Sequence, residues 1–391
     1  MYKLPEKIDA ANAKTVEEEL MRTRPVELDA SSLSAVSSSG LRMLLRFSES
    51  LPGSLRLNDV SGEIYEILET TGFTEIWDVR KKPRQVVIDG LPLIGTGSWA
   101  KVYLLDEETV IKVYDSPNND LYPDKAKYES DISREVFKRK IPTAISYNLV
   151  KCGTYDAGVY ERITGPTLAE EMVKNPQKLE ELMRQFADIG RKLHAADAPK
   201  NIFPNVMDSI RMPGVDQMMT VWLDEQEVKK WNQLYDVIPV RETLLHTDFQ
   251  YSNVMIQNGE MILIDVGGAA YGHPILDFFG TYIWAYHPEI IRMPFPDGMC
   301  REAFDTYVKY YFGDRLTEDN RPVLYDLLEF TGMLTGATMF ALKAAAKENH
   351  TPTEEERKRV HAMFDPLFQR EIRDLREKFL LADKELFDKG F

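Results

Sequence analysis

Apolar and polar residues follow two different rhythms along this chain, and the change of rhythm divides it. In residues 1–80, PVELDAS (25–31) and SLRLNDV (54–60) read as short strands. Helical spacing follows each of them. Leu41, Leu44 and Leu45 recur in GLRMLLRFSES, and Val60, Ile64, Ile67 and Leu68 line one face of VSGEIYEILETTGF, with Gly72 as the stop. Strands alternating with helices predict a small sheet covered by helices. RKKPRQ (80–85) is basic, holds a proline and lacks periodicity, so residues 81–87 read as a linker. From Val86, VVIDGLPLIGTGSWAKVYLLDEETVIKVY alternates as antiparallel strands do, with DEE at a turn. From about residue 178 the rhythm becomes helical, with Leu179, Leu182, Met183, Phe186, Ile189 and Leu193 forming one apolar stripe. After residue 275 the chain reads mostly as helix. The prediction is an α+β chain: a small α/β domain over 1–80, a β-rich lobe over 88–163 and a larger helical lobe over 164–391. The junction of two such lobes is a common place for a ligand cleft.

Composition narrows the function classes. The 391 residues are 43% hydrophobic and 28% charged, as in an ordinary globular protein with a sizeable core. Only Cys152 and Cys300 occur, far apart, which argues against a disulfide framework or a zinc site and fits a reducing compartment. The net charge of −15 repels phosphate backbones, so nucleic acid is not an expected partner. MYKLPEKIDA lacks the apolar core of a signal peptide, and no apolar run approaches the ~18 residues of a membrane span. The expectation is a cytoplasmic protein without a membrane partner.

The chemistry concentrates in LLHTDFQYSNVMIQNGEMILID, residues 244–265. Asn258-Gly259 between two apolar runs is a strong hairpin signal. A two-residue turn there pairs Gln257 with Glu260, sets Asn253 opposite Ile264 and brings Asp265 to the same open end. Strict pleating puts Asn253 and Asp265 on opposite faces, so they converge only if the strands loosen there. An amide oxygen and a carboxylate converging form a hard oxygen site, which suits Mg²⁺ better than zinc. Asp248, five residues before Asn253, sits in the loop leading in and is placed to accept a proton from a hydroxyl. The order acid, amide, acid matches base and metal ligands of kinase-like phosphoryl transfer. Ordinary loop polar residues are the bland alternative.

Two earlier segments fit the same chemistry. In IGTGSWAKVY (94–103) the glycines lead into a strand, whereas a dinucleotide fold needs a helix there. A glycine-rich turn between strands covers ATP phosphates in kinases, and Gly95 and Gly97 let backbone amides approach without a Cβ in the way. Lys112 alternates with Val110 and Tyr114 in TVIKVY, which sets it toward the cleft and in need of charge partners. Phosphates supply one partner. An acid on the next helix supplies another, with Glu135 in ISREVFKRK the first choice and Glu129 the second.

With these pieces in order, residues from about 90 to 300 resemble the aminoglycoside phosphotransferase and choline kinase group of small-molecule kinases. HTDFQYSN matches the group's HxDxxxxN motif, IDVGGAAYGHPILDF its ID-to-GxPxxD stretch, VYERITGPTLAE its hinge, and REVFKRKIP its first-lobe helix. The resemblance implies a bilobal protein-kinase-like fold, with ATP and Mg²⁺ as cofactors and a hydroxylated small molecule as acceptor. It implies Asp248 as the catalytic acid and Asn253 and Asp265 as magnesium ligands. Gly95, Gly97, Ser98, Lys112, Glu135, Glu161 and Ile163 become the nucleotide contacts, and Asp277 braces the catalytic loop. Thr247 stands where protein kinases have the arginine of HRD, and only eleven residues separate Asp265 from Asp277, too few for a regulated activation segment. Residues 1–80 resemble a STAS domain of the anti-sigma-factor-antagonist type, through LDASSLSAVSSSGLRMLL. That likeness places Ser38 at the family's phosphorylated serine, with Ser37 where the family has Asp, and implies a protein partner. Ser38 or Ser39 sits just before an amphipathic helix, and a plain N-cap serine there is the reading favoured here. The rival to an enzyme is a signalling scaffold, non-catalytic or protein-directed, whose kinase-like region binds nucleotide while the STAS-like domain switches partners. Tyr282, Trp284 and Tyr286 are read as helix packing, His246 as a structural hydrogen-bonder and Cys152 as an inert core thiol.

Overall fold

The computed structural model describes residues 1–97, 99–115, 124–211, 214–288, 294–345 and 352–388. By internal contacts the chain forms two units. One comprises Met1–Asp89 with Leu149–Ala157, the other Gly90–Asn148 with Gly158–Phe391.

In the first unit, four parallel strands run in the order Tyr2–Lys3, Glu27–Asp29, Arg56–Val60, Asp78–Lys81. Parallel neighbours need crossovers, and the helices Ala13–Thr23, Ser38–Glu49 and Gly62–Thr70 supply them. Leu28 and Leu57 from the sheet meet Val16, Leu20, Leu44, Phe47, Ile64 and Leu68 in a core of its own. Ile67 departs from the expected stripe, being 38% exposed, because Ile64 and Leu68 already fill the i, i+4 face. Gly72 takes φ +79° just past the last of these helices, a conformation that favours glycine. The basic stretch read as a linker contains strand: Asp78–Lys81 joins the sheet edge, and Arg84–Gln85 pairs in parallel with Val150–Lys151. Strands of this length leave too little text for periodicity to register.

The cap at the second helix also differs from expectation. Ser37, not Ser38, is the N-cap: its hydroxyl accepts from Gly40 N at 3.2 Å, and it shares a 2.7 Å hydrogen bond with Ser39. Ser38 is the first helical residue and is exposed.

The second unit begins with antiparallel strands Leu93–Thr96, Lys101–Leu104 and Thr109–Val113, in register Lys112 opposite Val102. Asp106 closes the turn between the last two by accepting from the amides of Glu108 and Thr109. The helix Lys125–Lys138 follows. Its exit is clamped to the far strand of the 254–263 hairpin: Leu263 N donates to Pro142 O at 2.8 Å, and Thr143 Oγ1 to Leu263 O at 2.9 Å. Beyond it the unit is helical. Leu179–Ala195 lays the expected apolar stripe, from Leu179 to Leu193, into a large core. No helix among the described residues is long and apolar enough to cross a membrane.

Candidate active site

Residues 246–253 form a loop whose backbone is fixed by one buried carboxylate. Asp277, 2% exposed, accepts His246 N at its Oδ2 and Thr247 N at its Oδ1, both at 2.7 Å. Its Oδ2 also meets His194 Nε2 at 3.1 Å. These bonds hold Thr247 at φ +71°, which a β-branched residue adopts only when its surroundings impose it. His246 donates from Nε2 to Ile264 O at 3.0 Å, leaving Nδ1 to accept from Asp248 N at 3.4 Å. His246 is thus a structural hydrogen-bonder.

The hairpin has the register read from Asn258-Gly259. Gln257 pairs with Glu260 and Val254 with Leu263, and Ile264 N donates to Asn253 O at 3.0 Å. The loosening needed at the open end is present on both strands. Asn253 ends a single 3-10 turn, Tyr251–Asn253, and Asp265 takes φ +59°, which swings its side chain off the pleat. Asn253 Nδ2 donates to Asp248 O at 2.9 Å and to Asp248 Oδ2 at 2.8 Å, and Gln250 Nε2 donates to the same Oδ2 at 3.0 Å. With Oδ2 held twice, Asp248 Oδ1 accepts no hydrogen bond among the described residues. Asp248 is exposed to solvent on one side, yet withdrawal from water raises its pKa, which the neighbouring His246 and Asn253 oppose and the charge of Asp265 reinforces.

Lys112 joins the two halves of this unit. Its Nζ lies 2.8 Å from Glu129 Oε2 and 2.7 Å from Asp265 Oδ1, a residue 153 positions away. The lysine side chain is 19% exposed and that of Glu129 8%. Burial disfavours the ammonium, but the charges of Asp265 and Glu129 outweigh it and raise the pKa. Burial likewise works against ionised Asp265, and Lys112 overcomes it, holding the carboxyl below the ordinary range.

The expected partner Glu135 is corrected by this geometry. Glu135 pairs instead with Lys138 at 2.6 Å and Arg139 at 2.9 Å. Six residues at ~100° each carry it to another side of the helix from Glu129. Gly267 explains how Glu129 comes so close: a Cβ there would lie 2.6 Å from Glu129 Cβ. Glu129 also accepts the Tyr114 hydroxyl at 2.6 Å. Neither Tyr114 nor Gly267 stands out in the sequence, because both act through packing between distant segments.

Among the other expected nucleotide contacts, Gly97 N donates to Ala100 O at 2.9 Å and closes the glycine turn. A Cβ at Gly95 or Gly97 would meet only ordinary contacts at 3.6 Å, so the chain's own packing demands neither glycine. Ser98 lies outside the described residues. Glu161 is engaged with Ile145, accepting its amide at 3.2 Å, and Ile163 is buried at 8% exposure. In the same segment, a Cβ at Gly165 would sit 1.6 Å from Ile256 O, so glycine is required there. Tyr282 stacks on Tyr286 and meets Phe304, and Trp284 meets Tyr251, as helix packing predicts. Cys152 is buried.

No three His, Cys, Asp or Glu side chains among the described residues cluster as a metal site by themselves. Asn253 Oδ1 and Asp265 Oδ2 accept no hydrogen bond among those residues and lie at the same end of the hairpin. An amide and a carboxylate oxygen suit a hard divalent ion whose shell is completed by phosphate and water.

Residues 93–313, more than half of the chain, match the model of the phosphotransferase enzyme family APH. The chain belongs to this phosphotransferase family. Residues 1–86 match the STAS domain, so this APH-family chain carries a STAS domain ahead of its kinase-like fold. No curated protein matches it in sequence. Solved structures similar to it include the streptomycin–ATP–APH(2″)-IIa ternary complex, at 16% identity over 81% of this chain and 98% of that one, TM-score 0.49. A choline/ethanolamine kinase family protein from Mesorhizobium loti is similar at 16% identity over 73% of this chain and 92% of that one, TM-score 0.47. The amicoumacin kinase hAmiN, in complex with AMP-PNP, Ca²⁺ and Ami, is similar at 13% identity over 80% and 96%, TM-score 0.47.

Proposed function

We propose that this APH-family protein transfers the γ-phosphoryl group of ATP to a hydroxyl of a small molecule, an amino sugar, a choline-like alcohol or a related metabolite. The observation that carries the reading is the placement of Lys112 between Glu129 and Asp265. A buried lysine paired with a helix acid, beside the acid that follows the hairpin, is the arrangement that kinase-like phosphoryl transfer uses. Asp248, its Oδ2 held by Asn253 and Gln250, offers Oδ1 to the acceptor hydroxyl and takes its proton. Lys112 turns from Asp265 toward the phosphates, oriented by Glu129. Gly95 and Gly97 let the turn's amides approach the same phosphates, and Ile163 with the backbone beside Glu161 lines the base. Asn253 and Asp265 are the residues that would hold Mg²⁺, and the ion supplies charge neutralisation on the phosphates when bound. Eleven residues between Asp265 and Asp277 leave no room for a regulated activation segment, which favours a small acceptor over a protein.

The domain reading that accompanies this is a STAS-like partner-binding or regulatory domain over 1–80, a linker over 81–87 and a phosphotransferase domain over 88–391, acting in the cytoplasm. The test is ATP consumption with magnesium against a panel of hydroxylated metabolites, followed by Asp248→Asn on the best acceptor. Turnover is expected to fall by about 10²–10⁴. Unchanged turnover in the variant removes Asp248 from the role of base. Nucleotide binding without turnover on any acceptor favours the scaffold reading instead.

A further inference from the structure

Glu129 carries one negative charge and faces two ammonium groups. Its Oε2 is taken by Lys112 at 2.8 Å and by the Tyr114 hydroxyl at 2.6 Å, and its Oε1 lies 3.3 Å from Lys125 Nζ. Lys112 has a second carboxylate in Asp265. Among the described residues Lys125 has none. Its Nζ also lies 5.3 Å from the ring centroid of Trp99 and 5.6 Å from that of Tyr128. The Lys125 side chain is only 20% exposed. A lysine this far out of water, with a share in one carboxylate and two ring faces, has no carboxylate of its own among the described residues.

Helix stability does not account for it. A lysine one turn before a glutamate is the less favourable order for an i, i+4 pair, and such pairs contribute only a few tenths of a kcal/mol. The position of Lys125 is more informative. Trp99 belongs to the glycine turn, Glu129 is the partner of Lys112, and the charge of Lys125 also reaches Asp265, where it helps to lower that carboxyl's pKa. Lys125 therefore stands among the three features that define the phosphate site, in a chain whose net charge is −15.

We propose that Lys125 is a second phosphate-binding lysine of this site, carried on the Trp99 ring so that the glycine turn and the Lys125–Lys138 helix close on the same polyphosphate. The inference rests on the nucleotide-phosphate reading of the site. Its ligand is the phosphate chain of a nucleoside triphosphate, not the base or the acceptor. When the phosphates arrive, Lys125 donates to their oxygens and leaves Glu129 to Lys112 alone.

The test compares the full-length protein with Lys125→Met, Lys125→Arg, Trp99→Ala and Lys112→Met, measuring affinity for ATP with magnesium and for adenosine by calorimetry. Lys125→Met is expected to weaken ATP about tenfold, the value of one charge-assisted hydrogen bond, and to leave adenosine unchanged. Lys125→Arg recovers most of the loss, and Trp99→Ala loses part of it. ATP affinity unchanged in Lys125→Met while Lys112→Met is weakened overturns the proposal and leaves Lys125 to the helix. Equal losses for ATP and adenosine overturn it as well, since the effect then follows the helix and not the phosphates. A wild-type protein that binds neither ATP nor ADP brings down the phosphotransferase reading itself, a result separate from either. Should Lys125→Met fail to fold, Lys125→Gln carries the same expectation.

Discussion

The 246–253 loop and Lys112 solve the placement of charged groups in opposite ways. In the 246–253 loop, the bonds that hold His246, Thr247 and Asp248 come from groups within a few dozen residues. Asp277 accepts two backbone amides, Asn253 and Gln250 hold Asp248, and His246 reaches Ile264. That geometry is set before any ligand arrives. Lys112 depends instead on partners 17 and 153 residues away, and on a helix brought close enough by Gly267. The loop is a fixed frame, whereas the lysine's position follows from how separate segments pack. On the proposed function, the loop supplies a preorganised base at one end of the transferred phosphoryl group and Lys112 exchanges Asp265 for phosphate at the other.

The comparison can be broken at its strongest point first. Asp277→Ala strands the His246 and Thr247 backbone amides beside His194, and the cost is expected to be roughly 3 kcal/mol in urea unfolding, with turnover lost as Thr247 relaxes. A near-neutral midpoint shift contradicts the claim that Asp277 fixes the loop. Gly267→Ala tests the lysine half. Its Cβ overlaps Glu129, so about 1–3 kcal/mol of stability and much of the ATP affinity should go together. Gly95→Ala meets no clash and should weaken ATP without moving the melting temperature. If both glycine variants behave alike, the distinction between a packing glycine and a ligand-facing one fails.

A pH profile sharpens the loop side. Withdrawal from water raises the carboxyl of Asp248 above its ordinary 3.8, and a base must be ionised to accept a proton. Turnover should therefore fall as the pH drops through a value above 3.8, with the base active on the alkaline side. An acid limb at or below that value speaks against the environment described for Asp248. The smallest effect is expected at Glu135→Gln, whose carboxylate pairs with Lys138 and Arg139 and whose loss should shift stability by no more than about 0.5 kcal/mol. Its ATP affinity should equal wild type, while Glu129→Gln loses affinity. The reverse result would return Glu135 to the role that the motif assigned it.

Legibility in the sequence followed the range of each interaction. The hairpin register came from Asn258-Gly259 and counting outward, and the helix stripe from Leu179 to Leu193 came from spacing alone. Asp277 as the brace of the loop followed from the family motif. The sequence put Glu135 ahead of Glu129 as the partner of Lys112, but the two share one helix and only its rotation against the 265–268 turn decides between them. Ser37 as the cap was hidden by two neighbouring serines of equal capping ability. Two-residue strands such as Tyr2–Lys3 and Arg84–Gln85 carry no periodic signal, and their pairing depends on partners elsewhere in the chain.

The order of residues by itself determined the chemistry available here: a glycine turn, a lysine, a helix acid and an acid–amide–acid hairpin, preceded by an alternating α/β segment. Those properties are local, fixed by spacing and by which side chains can donate, accept or bind a hard ion. Only the tertiary structure decided which of these groups meet. The rotation of one helix, the left-handed turn at Asp265 and the missing Cβ at Gly267 are set by the balance of packing across the whole unit, and no short window of sequence contains that balance.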